Sequence, residues 1–498
     1  MQVSVEDFDV VVIGGGPGGS TAATVLAMQN HRVLLLERDK FPRYQIGESL
    51  LPATIHGVCK ILGLSEEIKK AGFVRKLGGT FRWGTSPEPW TFNFSTASAI
   101  SAPKAYAYQV ERAKFDEMLL RNAAHNGVDV REQHSVKEVL FESGRACGVE
   151  FEDADGNARQ ATAKYIIDAS GHQSKVYTKV GERIYSNFFQ NLALFGYYEN
   201  GGRFPPPRDG NIFCAAFDEG WFWYIPLSDT LTSVGAVVSK EYADRLKGGY
   251  EEAMNRFIAS CPEITRLLAN ARRVTEGIYG QLRVRKDWSY TNERFWAPGL
   301  LLVGDAACFI DPVFSSGVHL STYSALLAAR SINSILCDGM DETRCLEEFE
   351  KRYRREFRNF YEFLTSFYDM HQNEDSYFWK ARKVLGSHQA DDEAFVTLVA
   401  GVSTLQQDEG LLVDHTQLER IKGELRQLED VDEKMAPYFA NEKETFLDAL
   451  VTEATQMQEQ ASVGAIRSAE KPLFEGGLIP SPDGFRWVEA TPQVAAVE

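Results

Sequence analysis

The chain has 498 residues, 44% hydrophobic and 12% aromatic, with a formal charge of −17. Eight tryptophans and 31 phenylalanines exclude a disordered chain, which needs low hydrophobicity and few aromatics. The acidic surplus argues against binding nucleic acid or an anionic membrane, and no apolar run reaches the roughly 20 residues of a membrane span.

At about 150 residues per domain the length allows about three units. The opening stretch, Met1 to Asp7, lacks the basic and apolar regions of a signal peptide. Seven cysteines without a Cys-x-x-Cys pair suit a reducing compartment, so a cytoplasmic location is expected. There is no His-x-x-x-His pair and no Cys–His cluster with zinc spacing, so no metal is expected.

Residues 8–38 predict strand, glycine turn, helix and strand. Phe8 to Ile13 is apolar and β-branched, as a strand buried on both faces should be. Gly14, Gly16 and Gly19 then give the G-x-G-x-x-G spacing. Gly14 allows the tight turn, Gly16 lets backbone approach a pyrophosphate, and Gly19 lets helix and strand pack closely. The helix N-terminus presents unpaired N–H groups to phosphate, and Glu37 closes the second strand where a carboxylate accepts ribose hydroxyls. This is a dinucleotide site, for NAD or FAD. A later segment favours FAD. Leu300 to Val303 is an apolar strand ending at Gly304 and Asp305, a carboxylate placed to hydrogen-bond a ribityl chain. A helix predicted from about Val318 to Leu336 aims its N-terminus at the pyrimidine edge of a flavin, which carries negative charge when reduced. Only one glycine fingerprint is present, so no second dinucleotide domain is evident.

The fold expected is α/β. It has a Rossmann-like FAD-binding domain of the p-hydroxybenzoate-hydroxylase/glutathione-reductase type, an inserted β-rich substrate domain and a helical C-terminal region. Residues 1–185 form the first part of the FAD domain, with 86–104 as an insertion. Residues 186–290 form the β-rich layer, 291–340 return to the FAD domain, and 341–498 are helical with an irregular tail from Pro472. In the C-terminal region Phe349, Tyr353 and Phe357 recur at helical spacing, and 385–460 is acidic and mostly helical.

Five segments carry a specific resemblance: Arg43 to Pro52, Phe73 to Gly79, Gln109 to Asp116, Trp221 to Pro226, and Gly304 to Gly317. Together they resemble the flavin-dependent halogenases, most closely the chondrochloren type, which acts on phenolic, tyrosine-derived groups held on a carrier protein. The resemblance runs from about Asp9 to Ala381. It implies an FADH2-dependent chlorinase of natural-product biosynthesis, possessing a flavin hydroperoxide that chloride attacks to give hypochlorous acid. Lys76 is then the catalytic lysine that directs hypochlorous acid to one ring carbon. Read without the family, Lys76 belongs to a charge run with Lys69, Lys70 and Arg75, which is ordinarily a solvated face.

The resemblance also makes Trp221, Trp223, Ile225 and Pro226 the W-x-W-x-I-P block beside the passage from flavin to substrate. Trp221, Trp223 and Ile225 share one face of a strand. Ser316 and Gly317 hold chloride, Gly317 also meets the flavin edge, and Arg112 contacts the flavin side of the pocket. Phe314 stands where tryptophan halogenases carry a glutamate, a departure that fits a phenol better than free tryptophan. The ring-proton base is left open between Glu48 and no protein group, and Glu48 also reads as a structural residue of the flavin loop. Asp168 to Gly171 lacks the arginine that follows in single-component monooxygenases, which implies a separate NAD(P)H-dependent flavin reductase. His319, just after the chloride loop, reads either as a pocket residue or, more commonly for such a histidine, as a helix residue with its needs met inside the fold, and is not placed among the site residues. Two rivals remain at this level: an aromatic hydroxylase using the same flavin chemistry, and a flavin-binding partner protein without chemistry.

Overall fold

The computed structural model describes residues 5–83, 89–96, 104–369, 396, 400, 472–474 and 476–489. Two sheets organise them. The first is parallel at its centre, where Leu300–Leu302, Ala158–Asp168, Val5–Ile13, Val33–Glu37 and Asp129–Glu132 lie side by side in that order. Antiparallel strands extend it, Trp296–Ala297 at one edge and Arg145–Glu152 with Ser135–Glu142 beside Ala158–Asp168. Val10, Val11 and Val12 are fully buried, as the continuous apolar run requires of a strand covered on both faces.

The carboxyl ends of the parallel strands meet at one edge. Gly14, Arg38, Ala169 and Val303, each just past a strand end, line one cavity there, where open α/β sheets bind ligands. Helix Pro17–Ala27 starts at that edge with Pro17 at its first position and packs along helix Gly317–Asp338.

The second sheet runs Cys308–Phe309, Arg283–Asn292, Arg183–Glu199, Leu231–Ser239, Gly220–Pro226, Ile212–Phe217, Gly78–Arg82, Trp90–Asn93. Its outer pair differs from the sequence division. The sequence division puts Gly78–Arg82 in the first domain and Trp90–Asn93 in an insertion near the substrate face, yet both continue the β-rich layer. Two glycines in one strand of five weaken its apolar pattern, and its parallel partner, Ile212–Phe217, is far off in sequence. The pattern is too weak to mark the strand locally, and the pairing that places it is not local.

Helix Glu342–Asp369 lies against Gly317–Asp338 and buries Phe349, Tyr353 and Phe357. The helical expectation for 385–460 falls outside the described residues, save Val396 and Ala400, both buried. The tail expected to be irregular contains a small antiparallel pair, Leu478–Pro480 with Trp487–Glu489. Trp487 is fully buried between the guanidinium groups of Arg330 (4.6 Å) and Arg352 (4.8 Å), and its indole N–H donates to Ser331 Oγ at 2.8 Å. All seven cysteines are free thiols. Among the described residues no helix is long and apolar enough to cross a membrane, and no cluster of ligating side chains is arranged to hold a metal.

Trp487 anchors this strap, so Trp487→Ala should cost about 3–5 kcal/mol of stability by the usual penalty for truncating a buried indole. Urea unfolding followed by circular dichroism measures it, and a midpoint unchanged from wild type would mean that the strap adds no stability.

Candidate active site

A single cavity of about 830 Å³ begins at the glycine turn and ends at the start of helix Gly317–Asp338. At its first end Gly14 adopts φ +99°, a left-handed conformation that favours glycine. A Cβ on Gly19 would fall 1.9 Å from the Gly14 carbonyl oxygen, so Gly19 works behind the wall, in packing. Gly16 is open: a Cβ there would meet nothing nearer than Arg43 Nη2 at 3.5 Å. Glu37 lines the cavity while Oε2 accepts the Gly15 N–H at 2.6 Å and Oε1 the Asp39 N–H at 2.8 Å. It therefore braces the turn as well as offering the carboxylate expected for a ribose.

Arg112 stands on the wall as the first residue of helix Arg112–His125. Nε and Nη2 donate to the two oxygens of Asp116 at 2.7 and 2.9 Å, and Nη1 donates to the carbonyls of Ile46 and Gly47. Asp116 also accepts Arg43 Nη1 at 2.8 Å. Arg112 thus fixes the 43–49 segment along the cavity, and the buried pair keeps its guanidinium charged. Asp305 lines the same wall; burial pushes its carboxyl up, while Arg285, Arg112 and Arg183 pull it back.

At the far end Asp311 Oδ1 accepts the Val313 N–H at 3.1 Å and caps a single turn, Pro312–Phe314. Ser315 follows at φ +61°, a strained position for a residue with a side chain. This kink launches helix Gly317–Asp338 with Ser316 as its cap residue. Ser315, Gly317 and Val318 line the cavity, and the first-turn N–H groups lack partners within the helix, which makes an anion seat. Gly317 has nothing within 4 Å of a Cβ, so its backbone is open to a ligand. The Ser316 side chain is off the wall, fully buried, with Oγ unpartnered.

Along one side, strand Gly220–Pro226 turns Trp221, Trp223 and Ile225 into the cavity, and Phe222 and Tyr224 into a second core. Pro226 ends this strand, buried behind the wall. Trp223 lies flat because its cross-strand neighbour is Gly235, where a Cβ would fall 2.2 Å from the indole. Trp221 Nε1 donates to the Tyr368 hydroxyl at 2.6 Å, and that hydroxyl donates to Asp311 Oδ2 at 2.9 Å. The aromatic strand is thereby tied to the turn before the anion seat.

Lys76 is 2% exposed, not on a solvated face as its charge run alone would suggest. Pairing of Val74–Lys76 with Ala107–Gln109 turns Arg75 outward and Lys76 inward. Its Nζ donates to Leu50 O at 3.0 Å and stands 5.5 Å from the Phe94 ring. Glu48 and Ser49 line the cavity and Leu50 follows them, so Lys76 is one layer behind that wall. Burial pushes its ammonium down to about 7. Glu48 is buried too; Oε1 accepts the Tyr197 hydroxyl at 2.7 Å, and burial pushes its carboxyl up to about 7.

The cavity gathers Gly14, Gly16, Glu37, Arg112, Trp221, Trp223, Ile225, Asp305 and Gly317, and leaves Gly19, Lys76, Pro226 and Ser316 behind its wall. Its open glycines at both ends, acid at one and helix start at the other fit an extended dinucleotide such as FAD. The aromatic run Phe360 to Tyr368, which the sequence offers as a pocket wall or a dock for the tail, supplies Tyr368 to this tie. Sequence reasoning missed Asp287, a buried wall carboxyl with Oδ2 unpartnered, raised by burial and by Asp311. Its place depends on contacts distant in the chain.

Residues 9–103 and 96–421 match the model of the tryptophan halogenase family. A tryptophan 2-halogenase from Chondromyces crocatus is 34% identical over 409 residues, covering 80% of this chain and 76% of that one. Among solved structures, a myxobacterial chondrochloren halogenase is 52% identical, covers 97% of this chain and 100% of its own, and superposes with a TM-score of 0.74. A flavin-dependent brominase is 27% identical over 79% of this chain and 94% of its own, with a TM-score of 0.70.

Two outcomes follow from the geometry. Gly16→Val should leave the apoprotein within about 1 kcal/mol of wild type yet weaken FAD binding at least about tenfold, because the new side chain fills the cavity; flavin fluorescence titration reads this. Lys76→Met should raise stability, most at or below pH 7. The wild-type lysine has a folded pKa near 7 against 10.5 unfolded. Wild type therefore recovers stability as pH climbs from 7 toward 10, and the advantage of the variant shrinks over that interval. Urea midpoints at pH 6 and pH 9.5 test the sign.

Proposed function

The chain belongs to the tryptophan halogenase family and is a flavin-dependent halogenase, and on that premise we propose that it chlorinates a phenolic, tyrosyl-like ring held on a carrier protein. The burial of Lys76 one layer behind the flavin-side wall carries this reading. Reduced FAD, received from a separate flavin reductase, supplies with oxygen the oxidation of chloride to hypochlorous acid.

The residues of the chain do the rest. First-turn N–H groups at Gly317 seat chloride at the flavin end of the cavity. Trp221, Trp223 and Ile225 keep an aromatic substrate away from the flavin while a three-atom acid passes. Near neutral pH a lysine tuned to about 7 is partly a free amine and partly an ammonium. The ammonium donates a hydrogen bond to hypochlorous acid. The amine attacks its chlorine: an N–Cl bond forms, the Cl–O bond breaks, and the amine proton leaves with hydroxide as water. Either form delivers chlorine to one ring carbon, and a compact group on a four-carbon stem suits that transfer better than a guanidinium would.

Phe314, stacked on Phe363 at 4.9 Å, puts no carboxylate at the start of the helix, which favours a phenol, whose own hydroxyl activates the ring. Free tryptophan is the second reading, favoured by the relative named a tryptophan 2-halogenase. A cytoplasmic setting is consistent with seven free cysteines.

The test is product mass. Protein, FAD, a flavin reductase, NADH, oxygen and chloride are incubated with a tyrosyl-loaded carrier protein, free tyrosine, a simple phenol and tryptophan. A chlorine isotope doublet on the carrier-bound ring, absent with Lys76→Ala, is the expected result. Oxygen gained without chlorine would replace this reading with a hydroxylase. A doublet on tryptophan alone would replace the phenol.

A further inference from the structure

Asp287 lies on the cavity wall and has no part in the chemistry above. It is 5% exposed, in strand Arg283–Asn292, and its Oδ2 is buried with no hydrogen-bond partner. Two contacts place it beside Asp311, the residue that caps the turn before the anion seat. Its cross-strand neighbour, Asn191, donates from Nδ2 to Asp311 Oδ2 at 3.1 Å. Ser289, two residues further along the same face of its strand, accepts the Asp311 N–H at 3.0 Å. The donors are unevenly shared. Asp311 takes the Val313 N–H on Oδ1, and the Tyr368 hydroxyl and Asn191 amide on Oδ2, all of which suit a carboxylate. Asp287 Oδ2 is offered none, which suits a carboxylic acid. Two neighbouring carboxyls in a water-poor place do not both ionise, and the hydrogen bonds put the charge on Asp311 and the proton on Asp287.

The other charges around the pair do not reverse that order. Arg285, two residues before Asp287, pulls its proton away, but Arg285 also answers to Asp305. Arg112 and Arg183 act on Asp305, Lys286 is exposed, and His172 is neutral, pushed down to about 4 mainly by burial. With these counted, loss of water first and the Asp311 charge second hold the Asp287 carboxyl well above the usual carboxylate range, whereas Asp311 rises only to about 6.

We propose that Asp287 is the acid of halide oxidation, delivering a proton into the cavity beside the halide seat while Asp311 keeps the negative charge. The reaction consumes a proton: reduced FAD, oxygen, chloride and H+ give FAD, hypochlorous acid and water. Reduced FAD and chloride each give two electrons to oxygen. The O–O bond breaks as the Cl–O bond forms, and the oxygen left behind takes the Asp287 proton and leaves as water. One hydrogen of the reduced flavin departs in each product, and Asp287 recovers its proton from solvent. The assignment rests on the hypochlorous acid reading and the halide seat proposed above.

FAD-loaded protein, reduced anaerobically without excess reductant, is mixed with oxygen and sodium chloride between pH 6 and pH 9, with taurine to trap hypochlorous acid as its chloramine. Asp287→Asn should form chloramine about 100-fold more slowly, the usual loss when a general acid is removed, and should release hydrogen peroxide instead. Its FAD Kd should stay within about twofold of wild type. Infrared spectra of the FAD-loaded proteins at pH 7 should show a protonated-carboxyl absorption in wild type that this variant lacks. Asp311→Asn removes the neighbouring charge, so Asp287 should give up its proton at lower pH and the alkaline fall in rate should move down by about one pH unit or more. Chloramine formed by Asp287→Asn at the wild-type rate, or no protonated carboxyl lost with it, would overturn the assignment. An alkaline fall left in place by Asp311→Asn would overturn it too, and that variant decides should Asp287→Asn fail to hold FAD. No chloramine from wild type at any pH would remove the hypochlorous acid reading itself, and the role of Asp287 with it.

Discussion

Ser321 is where the two ends of the nucleotide domain are held together. A Cβ on Gly18, from the first helix, or on Gly304, from the return strand, would fall 2.6 Å from its Oγ. Only two residues without side chains let helix Pro17–Ala27, the Gly304–Ala306 turn and helix Gly317–Asp338 close on one point. That contact brings the glycine turn and the anion seat to opposite ends of one cavity, although most of the chain separates them in sequence. The residues assigned to flavin depend on this closure, because Gly14, Gly16, Gly19, Glu37 and Arg112 arrive from the N-terminal part and Asp305 and Gly317 from the return segment.

The second sheet contributes exclusion. Its strands bring Trp221, Trp223 and Ile225 to the cavity, while the separate ladder of Val74–Lys76 with Ala107–Gln109 holds Lys76 on the other side of the 48–50 segment. Burial then sets the chemistry on both sides of that partition. It draws the Lys76 ammonium down and the Glu48 carboxyl up, both to about 7, so that each exchanges a proton readily near neutrality. The dominant cause in both is loss of water, which hydrogen bonds and the Arg112 charge only partly offset at Glu48.

What the sequence displayed of this arrangement follows how local each demand is. Gly14, Gly16 and Gly19 answer to backbone geometry within one turn, and the alternation of Trp221, Trp223 and Ile225 follows the pleat of one strand; both are readable as strings. Gly18 serves a partner in another third of the chain, so no spacing rule marks it. Lys76 among Lys69, Lys70 and Arg75 looks solvated, and only the pairing with Ala107 and the rings around it turn it inward. The likeness to halogenases singled it out where residue chemistry alone did not. The strands Gly78–Arg82 and Trp90–Asn93 escaped for the same reason, since their place is decided by Ile212–Phe217. The helix start at Ser316 predicts a halide seat of backbone N–H groups with a serine hydroxyl, yet that hydroxyl is buried off the cavity wall, a direction no local pattern in the sequence marks.

The strap around Trp487 bears on how the chain is made. Arg330 and Asn333 donate to the carbonyls of Gly484 and Phe485, Ser334 accepts the Trp487 N–H, and Arg352 donates to Leu478. The helix that begins at the anion seat is therefore gripped by the last described segment to leave the ribosome. Both sheets can pair beforehand, but the buried guanidinium groups of Arg330 and Arg352 have no indole between them until residue 487 emerges. Completion of the packing around this helix pair is thus a late event of synthesis, and a nascent chain of this protein carries the Arg330 and Arg352 guanidinium groups without their indole until its tail emerges.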